Sequence, residues 1–408
     1  MDKNFKNVSI NDYNYDLDQG HIAVFPQSVR DRSRLLVYRD EKIEDDHFFN
    51  IADYLPEGAS LYLNDTRVIE ARLLFQKPTG GVIELFCLEP YHLPVEISLN
   101  LCGRARWLCL IGGASKWKYG QVLEKKISIN NEEVVFQAHY IQKLKDSFII
   151  EFSWLPENIP FSAILHASGS IPLPPYLKRE ATREDMERYQ TIFAHHEGSV
   201  AAPTAALHFT DETFVKLKGK GIMPFYITLH VGAGTFKPVK SETIADHEMH
   251  SEPFTITKEA LERLISSKKV IAVGTTTLRT IESIYWLGIK LINGLIAEDW
   301  TLNQWECYDL EDNYPETDPK KSIEAIINWL NEHSQNEVHC HTSLIIVPGY
   351  KFQIADALVT NFHQPQSTLL LLVSAFVGKN WKKIYEHALE NNYRFLSYGD
   401  SSLLFRNR

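Results

Sequence analysis

Two hydrophobic patterns divide this sequence, and they constrain the fold more than any other feature. From about residue 80 to 153, apolar and polar residues roughly alternate, with Gly, Pro and Asn at the breaks. That alternation predicts a small antiparallel barrel or sandwich. From about residue 156 onward, strand-like and helix-like segments take turns, which predicts a parallel α/β layer. We therefore predict an α/β fold in which residues 1–74 and 154–408 form the main domain and residues 75–153 form an inserted antiparallel β-barrel-like domain.

Individual segments of the second pattern can be assigned from their ends. The stretch TDETFVKLKGKG (210–221) opens with a capping residue and closes with Gly, which is typical of a helix. A buried strand is predicted for 223–231, and VIAVG followed by TTLRTIESIYWLG predicts a strand that leads into a helix. Residues 298–319 hold eight acidic residues and no Lys or Arg, so we expect a solvated loop or an insertion there.

Charge, cysteine content and hydropathy exclude several classes of protein. The formal charge of −10 argues against sequence-independent coating of nucleic acid. The five cysteines contain no CxxC pair, which argues against a disulfide framework or a zinc ribbon. The first residues lack an apolar signal region, and the apolar run at 367–378 is too short to cross a bilayer. We expect a cytoplasmic protein that makes no contact with a membrane.

Two glycine-containing turns follow predicted strands, where small molecules bind in α/β domains. One is LHVGAGTF (229–236), which contains Gly232 and Gly234. The other, VGTTTLRT (273–280), would place the amides and hydroxyls of Thr275–Thr277 at a helix N-terminus, which favours an anion or a carboxylate. The alternative is that both are ordinary tight turns with helix caps. Neither matches GxGxxG or a P-loop, so a dinucleotide or nucleoside-triphosphate enzyme is not supported.

Three histidines stand at the ends of apolar segments beside small or polar residues. They are His208 in AALHFT, His230 in TLHVGAG and His363 in TNFHQPQST. Strand ends in α/β folds converge at one edge, so the three imidazoles could meet. No GxSxG motif accompanies them, which argues against an acyl hydrolase, and DHEMHSE lacks the HExxH spacing of a zinc protease. We predict no metal site.

Two further polar stretches are candidates for a binding site. In LNDTRVIEARL, Asp65 and Arg67 follow a strand-like run, and Arg67 could hold a carboxylate with two hydrogen bonds. The alternative is an exposed ion pair that contributes little. In YRFLSYGD, Tyr398 and Asp400 surround a glycine in a polar turn, which is either structural or part of a site.

One basic face could contact RNA. Residues 101–126 combine Lys and Arg with interleaved Trp107, Trp117 and Tyr119, a combination that suits phosphates and unstacked bases. The alternative is a basic strand surface with no ligand. The RNA-binding candidates are Arg104, Arg106, Lys116 and Lys118.

Many of these stretches, in the same order, resemble the S-adenosylmethionine:tRNA ribosyltransferase-isomerases of queuosine biosynthesis. The resemblance runs from about residue 12 to 405. The stretches that carry it are SRLLV, LNDTRVIEARL, IPLPPYLKR, RYQTIFA, GSVAAPTAALHFT, ITLHVGAGTFKPV, HEMHSE, VIAVGTTTLRTIES, PGYKF, DALVTNFHQPQSTLLLLVSAF and YRFLSYGD.

The resemblance implies a fold and a reaction. Such enzymes have an α/β domain with an inserted β-barrel. They transfer and rearrange the ribosyl part of S-adenosylmethionine onto 7-aminomethyl-7-deazaguanine at the wobble position of tRNA. The products are epoxyqueuosine in tRNA, adenine and methionine. S-adenosylmethionine is thus a co-substrate, no cofactor or metal is expected, and the partners are S-adenosylmethionine and a tRNA anticodon stem-loop. We expect a monomer.

The resemblance also implies roles for the candidate residues. Proton transfer in such a reaction suits His, Asp or Tyr. We expect His208 or His230 to handle a proton, with His363 and Asp400 as alternatives, and the general acid and the general base are left open. In this reading GSVAAPTAALHFT is a loop that approaches the donor closely, with His208 at the reacting end. The substrate-binding candidates are Asp65, Arg67, Thr204, Gly232, Gly234, Thr275, Thr276, Thr277, Arg279, Asn361, Ser367 and Tyr398.

Some positions depart from the pattern of that family. Glu70, Ala206 and Gln364 replace its usual Pro, Gly and Leu, and residues 290–343 are longer than expected, as an atypical insertion. Three alternatives therefore stay open. They are a divergent paralogue with another acceptor, a non-catalytic nucleotide- or RNA-binding protein on the same scaffold, and a methyltransferase, which has no GxGxxG-like loop to support it.

Overall fold

A computed structural model describes residues 5–232, 243–296, 299–314 and 317–406. Its strands are β1 (Arg34–Arg39), β2 (Lys42–His47), β3 (Ser60–Asn64), β4 (Thr66–Val68), β5 (Arg72–Gln76), β6 (Val82–Pro90), β7 (Arg104–Gly112), β8 (Val122–Ile129), β9 (Glu132–Lys143), β10 (Phe148–Leu155), β11 (Gly169–Ser170), β12 (His196–Ser199), β13 (Met223–Leu229), β14 (Glu252–Thr257), β15 (Val270–Val273), β16 (Thr301–Leu302), β17 (Glu337–Thr342), β18 (Ala357–Asn361) and β19 (Ser401–Phe405). Its α-helices are α1 (Ile51–Tyr54), α2 (Val95–Asn100), α3 (Phe161–Ser168), α4 (Arg183–Arg188), α5 (Asp211–Gly219), α6 (Lys258–Ser266), α7 (Thr275–Ile292), α8 (Glu306–Asn313), α9 (Pro319–Glu332), α10 (Thr368–Val377) and α11 (Trp381–Glu390).

The main sheet has ten strands in the order β16-β17-β14-β13-β3-β15-β18-β19-β1-β2. Its four central strands, β13, β3, β15 and β18, run parallel. Both faces are covered, because Leu61 and Leu63 of β3 pack into one apolar cluster and Tyr62 packs into the other. Fully buried parallel strands of this kind occur between two helical layers. The predicted α/β fold is confirmed, with antiparallel strands added to the parallel centre.

A second sheet of seven strands has the order β11-β5-β6-β7-β10-β9-β8, and its pairs are antiparallel. The sheet curls until its ends approach each other. Lys125 of β8 donates to the Leu74 carbonyl at 3.3 Å and to the Ser168 carbonyl at 2.8 Å. The predicted antiparallel barrel-like unit is confirmed as an incompletely closed barrel. The exact boundaries given above for the two domains stay a prediction.

The acidic segment 298–319 is not the solvated loop that its charge suggested. Its described part includes β16 and α8, and Cys307, Tyr308 and Leu310 of α8 are buried in the main core. Acidic residues alternate with these apolar ones on the helix. The segment is therefore an amphipathic helix, which the count of acidic residues alone did not indicate. The wider segment 290–343 also supplies α9 and β17, and β17 pairs with β14 in the main sheet.

Two further observations concern membrane-spanning helices and cysteines. In the part of the chain that the structure describes, no helix combines the length and apolar character needed to cross a membrane. All five cysteines are free thiols.

Candidate functional site

The carboxyl ends of β15 and β18 bring two polar segments together. The strands are parallel neighbours, with Val273 opposite Val359, so the chain leaves both at the same edge of the sheet. The Gly274 amide then donates to the Val359 carbonyl at 2.8 Å. This register places the start of α7 beside the segment that follows β18, as expected for the ligand-binding edge of an α/β sheet.

A cavity of about 120 Å³ lies at this edge. The small-residue loop Ala201–Ala205 forms one wall, Gly274–Thr276 forms a second, and Thr360–Leu369 forms a third. The remaining lining residues are Tyr176, Tyr189, Val231, Leu396 and Ser397. The structure therefore brings together the predicted residues Thr204, Thr275, Thr276, Asn361, His363 and Ser367. Their roles in binding or catalysis stay predictions.

Two helix N-termini point into this cavity. Helix α7 begins at Thr275 after Gly274, whose φ of 94° suits glycine. Helix α10 begins at Thr368, and the Ser367 hydroxyl accepts from the Leu370 amide at 3.2 Å. The first turns of both helices line the cavity. Unpaired amides and the helix dipoles make such a place favourable for an anionic group.

His363 is the one imidazole among the described residues that line the cavity. Its Nε2 lies 3.0 Å from the Thr360 hydroxyl, and its backbone amide donates to the Tyr385 hydroxyl at 3.1 Å. Burial lowers the pKa of His363 to about 3. The ring is consequently neutral near pH 7.

His208 lies behind the cavity wall and supports it. The Asn361 amide nitrogen donates to the carbonyls of Leu396 and Ser397, at 2.9 and 3.2 Å. Its Oδ1 therefore accepts from His208 Nε2 at 3.2 Å, and His208 Nδ1 accepts from the Ser33 hydroxyl at 2.8 Å. Burial lowers the pKa of His208 to about 4. Both ring nitrogens thus have partners within the chain, Asn361 and Ser33, and His208 does not line the cavity.

His230 faces the inserted domain. Its Nε2 lies 2.8 Å from Glu96 Oε1 on α2, and this hydrogen bond helps to lower the pKa of Glu96. Gly198 of β12, three residues before the small-residue loop, packs against the same ring. A Cβ at Gly198 would lie 2.9 Å from His230 Nδ1 and 2.7 Å from Val95. The loop is small here because the two domains approach closely, and His230 is not brought to the cavity with His363.

Two other candidates are held by partners within the chain. Asp400 accepts from the amides of Arg34 and Arg394 at 3.0 and 2.8 Å. The Tyr398 hydroxyl donates to Asp185 at 2.7 Å, and burial raises the pKa of Tyr398. These contacts fix the polar turn in YRFLSYGD, and Leu396 and Ser397 of the same turn line the cavity. The turn is therefore held by structural contacts and is also part of the cavity wall.

Arg279 and Arg67 do not line the cavity. The buried Arg279 guanidinium donates to Glu252 Oε2 at 2.7 Å. Arg67 is half exposed and lies 3.9 Å from Glu197 Oε1. Each arginine thus already has a carboxylate partner from its own chain, and the weak Arg67 pair matches the alternative considered above.

The remaining substrate-binding candidates are scattered. Asp65 accepts from the Thr228 hydroxyl at 2.8 Å, and burial raises its pKa. Thr277 is fully buried on α7 and does not line the cavity. Gly232 follows Val231, which does line it, and Gly234 lies outside the described residues.

The predicted RNA face is less suited to bases than the sequence implied. Arg104 and Arg106 project outward from β7 but share one carboxylate, Glu151, at 3.6 and 2.7 Å. Trp107 and Trp117 are buried in the barrel core, which leaves Tyr119 as the exposed aromatic of the three. Trp107 alternates with the two arginines along the strand, so its side chain points to the opposite face. Lys116 and Lys118 are exposed.

Comparisons with known proteins give the chain its family. The model of a family described as "Queuosine biosynthesis protein" matches residues 10–404. The chain belongs to this family.

Curated relatives carry one name, S-adenosylmethionine:tRNA ribosyltransferase-isomerase. The protein from Magnetococcus marinus is 36% identical over 96% of this chain and 93% of its own length. The protein from Aquifex aeolicus is 37% identical over 97% of this chain and 100% of its own. A crystal structure of S-adenosylmethionine tRNA ribosyltransferase from Thermotoga maritima has 28% identity and a TM-score of 0.45, and the match covers 96% of this chain and 99% of that one.

Several residues of this family member's cavity were not predicted. Tyr176 lines it and hydrogen-bonds Ser397, which also lines it, and Tyr189 forms part of the same wall. All three lie in stretches that carry the resemblance, namely IPLPPYLKR, RYQTIFA and YRFLSYGD. Tyr176 and Ser397 are 221 residues apart along the chain, so no local pattern placed them together.

Proposed function

We propose that this chain transfers and isomerises the ribosyl moiety of S-adenosylmethionine onto 7-aminomethyl-7-deazaguanine in tRNA, giving epoxyqueuosine-tRNA, adenine and methionine. Membership of the family and the name shared by its relatives support this reaction. The observation that carries it is the cavity at the ends of β15 and β18, where two helix N-termini meet a neutral imidazole.

The lining of the cavity suits this donor. S-adenosylmethionine carries a carboxylate, an adenine and a cationic sulfonium. The first-turn amides of α7 or α10 can receive the carboxylate. Tyr176, Tyr189 and Phe362 offer aromatic surface to the adenine or the sulfonium. Within the described ranges, no Lys or Arg lines the cavity, so no side-chain cation there repels the sulfonium.

His363 is the group that we assign to proton transfer. The sulfonium acidifies the neighbouring 5′ protons of the ribose, and a base must remove one before adenine leaves. When Nε2 donates to the Thr360 hydroxyl, Nδ1 carries the lone pair and can accept that proton. The lowered pKa keeps the ring neutral beside a cationic donor. His208 acts through Asn361 and is a positioning residue.

The remaining features of the proposal concern partners and setting. We propose that the acceptor lies in the tRNA anticodon stem-loop, that the protein works as a monomer in the cytoplasm, and that it needs no cofactor or metal. Outside the gaps in the description, no three His, Cys, Asp or Glu side chains come together as a metal ion would require. Sedimentation of the pure protein would test the monomer.

A product assay tests the function directly. Pure protein is incubated with S-adenosylmethionine and tRNA that carries 7-aminomethyl-7-deazaguanine, and the products are separated by mass. Adenine, methionine and epoxyqueuosine are expected in equal amounts. Adenine with a different modified acceptor would indicate a paralogue, S-adenosylhomocysteine would indicate a methyltransferase, and donor binding without products would indicate a binding protein.

A pair of variants tests the assignment of His363. We expect His363→Gln to lower the rate of adenine release by about 100-fold or more, the usual loss for a general base, while S-adenosylmethionine still binds. The matched control is His341→Gln, at an exposed position on β17. A wild-type rate in His363→Gln would remove His363 from the mechanism.

A further inference from the structure

A second, smaller cavity lies on the other side of Ser397 from the first. Ser397 lines both, and His208 lines the smaller one while it hydrogen-bonds Asn361 in the wall of the larger. The smaller cavity has a volume of about 20 Å³, which is room for about one water molecule or one phosphoryl oxygen. Three arginines line it, Arg30, Arg188 and Arg394. We call these three residues the arginine cluster.

Arg30 has no carboxylate partner among the described residues. Its guanidinium donates to three backbone carbonyls, those of Glu187 at 2.9 Å, Leu207 at 3.1 Å and Arg188 at 3.4 Å. Burial, and then the charge of Arg188, lower the pKa of Arg30. Carbonyl dipoles hold the side chain in place, but they leave its positive charge uncompensated.

The other two members are only weakly neutralised. Arg188 donates to the carbonyls of Gln27 and Ser28, and its one carboxylate neighbour, Glu184, is exposed and 3.7 Å away. Arg394 lies 3.4 Å from Asp400, which accepts shorter hydrogen bonds from two backbone amides. The Nε atoms of Arg188 and Arg394 are buried and have no hydrogen-bond partner in the described part of the chain. The three arginines are therefore balanced only by Asp400, which also accepts from two amides, and by the exposed Glu184.

We propose that the arginine cluster binds a backbone phosphate of the RNA acceptor, next to the nucleotide whose base enters the larger cavity. This inference rests on the proposed function. Guanidinium groups donate charge-assisted hydrogen bonds to phosphate oxygens, and the cavity has room for one of these oxygens. The shared wall at Ser397 fits one nucleotide, because its base and its phosphate are separated only by the sugar. A phosphate here would fix the register of the RNA without reading its sequence.

The rim of the smaller cavity favours RNA over a free phosphate ion. Phe25 and Val29 flank the cavity-lining residues Pro26 and Gln27, and both are exposed, at 56% and 50%. The Arg179 guanidinium lies 4.3 Å from the centre of the Phe25 ring. Arg179 is itself paired with Asp185 at 2.7 Å, so the exposed ring is what this rim offers. An exposed aromatic ring suits an unstacked base, whereas a site for a free ion needs no apolar rim.

Binding of a synthetic RNA anticodon stem-loop tests the proposal. The variants are Arg30→Gln and Arg188→Gln, with Arg188→Lys as a milder change that keeps the charge. The control is Arg183→Gln, an exposed position on the same helix as Arg188. For both Gln variants we expect Kd to rise about 10-fold and the slope of log K against log salt to become shallower by about 1. Wild-type Kd and slope in Arg30→Gln and Arg188→Gln would overturn the proposal.

Two further arms identify the source of the phosphate. Stem-loops with a single uncharged methylphosphonate near the wobble nucleotide are bound by wild type and Arg188→Gln. At one methylphosphonate position, binding to wild type should weaken while binding to Arg188→Gln does not weaken further. If no methylphosphonate position shows this difference, the proposal is overturned. The proposal would also be overturned if inorganic phosphate stabilised wild type but not Arg188→Gln, while both proteins bound the stem-loop equally well. Adenine release is measured separately, so failure of the proposed reaction does not alter these binding results.

Discussion

Acidification should unfold this protein partly through His208, and the size of the effect follows from its surroundings. The side chain is 5% exposed, and burial lowers its pKa to about 4 in the folded state. An unfolded chain binds the proton below its usual pKa of about 6.5. Between these values the unfolded state binds more protons, so the free energy of unfolding falls as pH drops. At pH 5 the loss from this one residue is about 2 kcal/mol.

Replacement of the imidazole removes this pH dependence. His208→Gln keeps an amide that can donate to Asn361 but does not titrate, and it loses the hydrogen bond from Ser33. We expect it to cost about 1 kcal/mol at pH 7 and to cost less, or even to stabilise, at pH 5. Urea unfolding of wild type, His208→Gln and the exposed control His341→Gln at both pH values measures the difference. Parallel stability curves for wild type and His208→Gln would refute the reasoning.

Three other outcomes follow from the structure. Gly198→Ala should destabilise the protein by about 2 kcal/mol more than Gly80→Ala, because its Cβ would meet Val95 and His230. Gly80 also has a positive φ, 84°, but open space around it, so it controls for backbone strain, and thermal unfolding compares the two variants. Glu282→Gln should cost about 3 kcal/mol, since this buried carboxylate accepts four hydrogen bonds, and a wild-type Tm would contradict that. Treatment with EDTA should leave adenine release unchanged, and a loss restored by a divalent metal would contradict the metal-independent proposal.

Local sequence patterns were sufficient to place site residues that directly follow the central parallel strands. Thr275, Thr276 and His363 follow β15 and β18, which are parallel neighbours, so the strand-end rule brought them to one cavity. The rule did not extend to His230. It follows β13, which lies at one end of the four parallel strands, and there the inserted domain supplies Glu96 as its partner. The local sequence predicts where a strand ends, but it does not predict which residues pack over that end.

The long-range contacts account for the rest of the difference. His208 looked like a reacting group because small residues surround it in sequence. Its neighbours in space are Ser33 and Asn361, which are 175 and 153 residues away along the chain. The arginine cluster likewise draws on three distant segments, and no spacing could have assembled it. The buried side of the barrel could have been anticipated, since Trp107 alternates with Arg104 and Arg106.

The position of β19 in the main sheet has a consequence for how the chain folds during its synthesis. This strand, residues 401–405, lies between β18 and β1, so it joins the first strand of the main sheet to its parallel centre. The strands of the inserted barrel all fall within residues 72–170. As the ribosome delivers the polypeptide from its amino end, the barrel has all its strands long before the main sheet has its last. A growing chain therefore carries one completed module beside a sheet with an open edge at β18, and such edges are where aggregation begins.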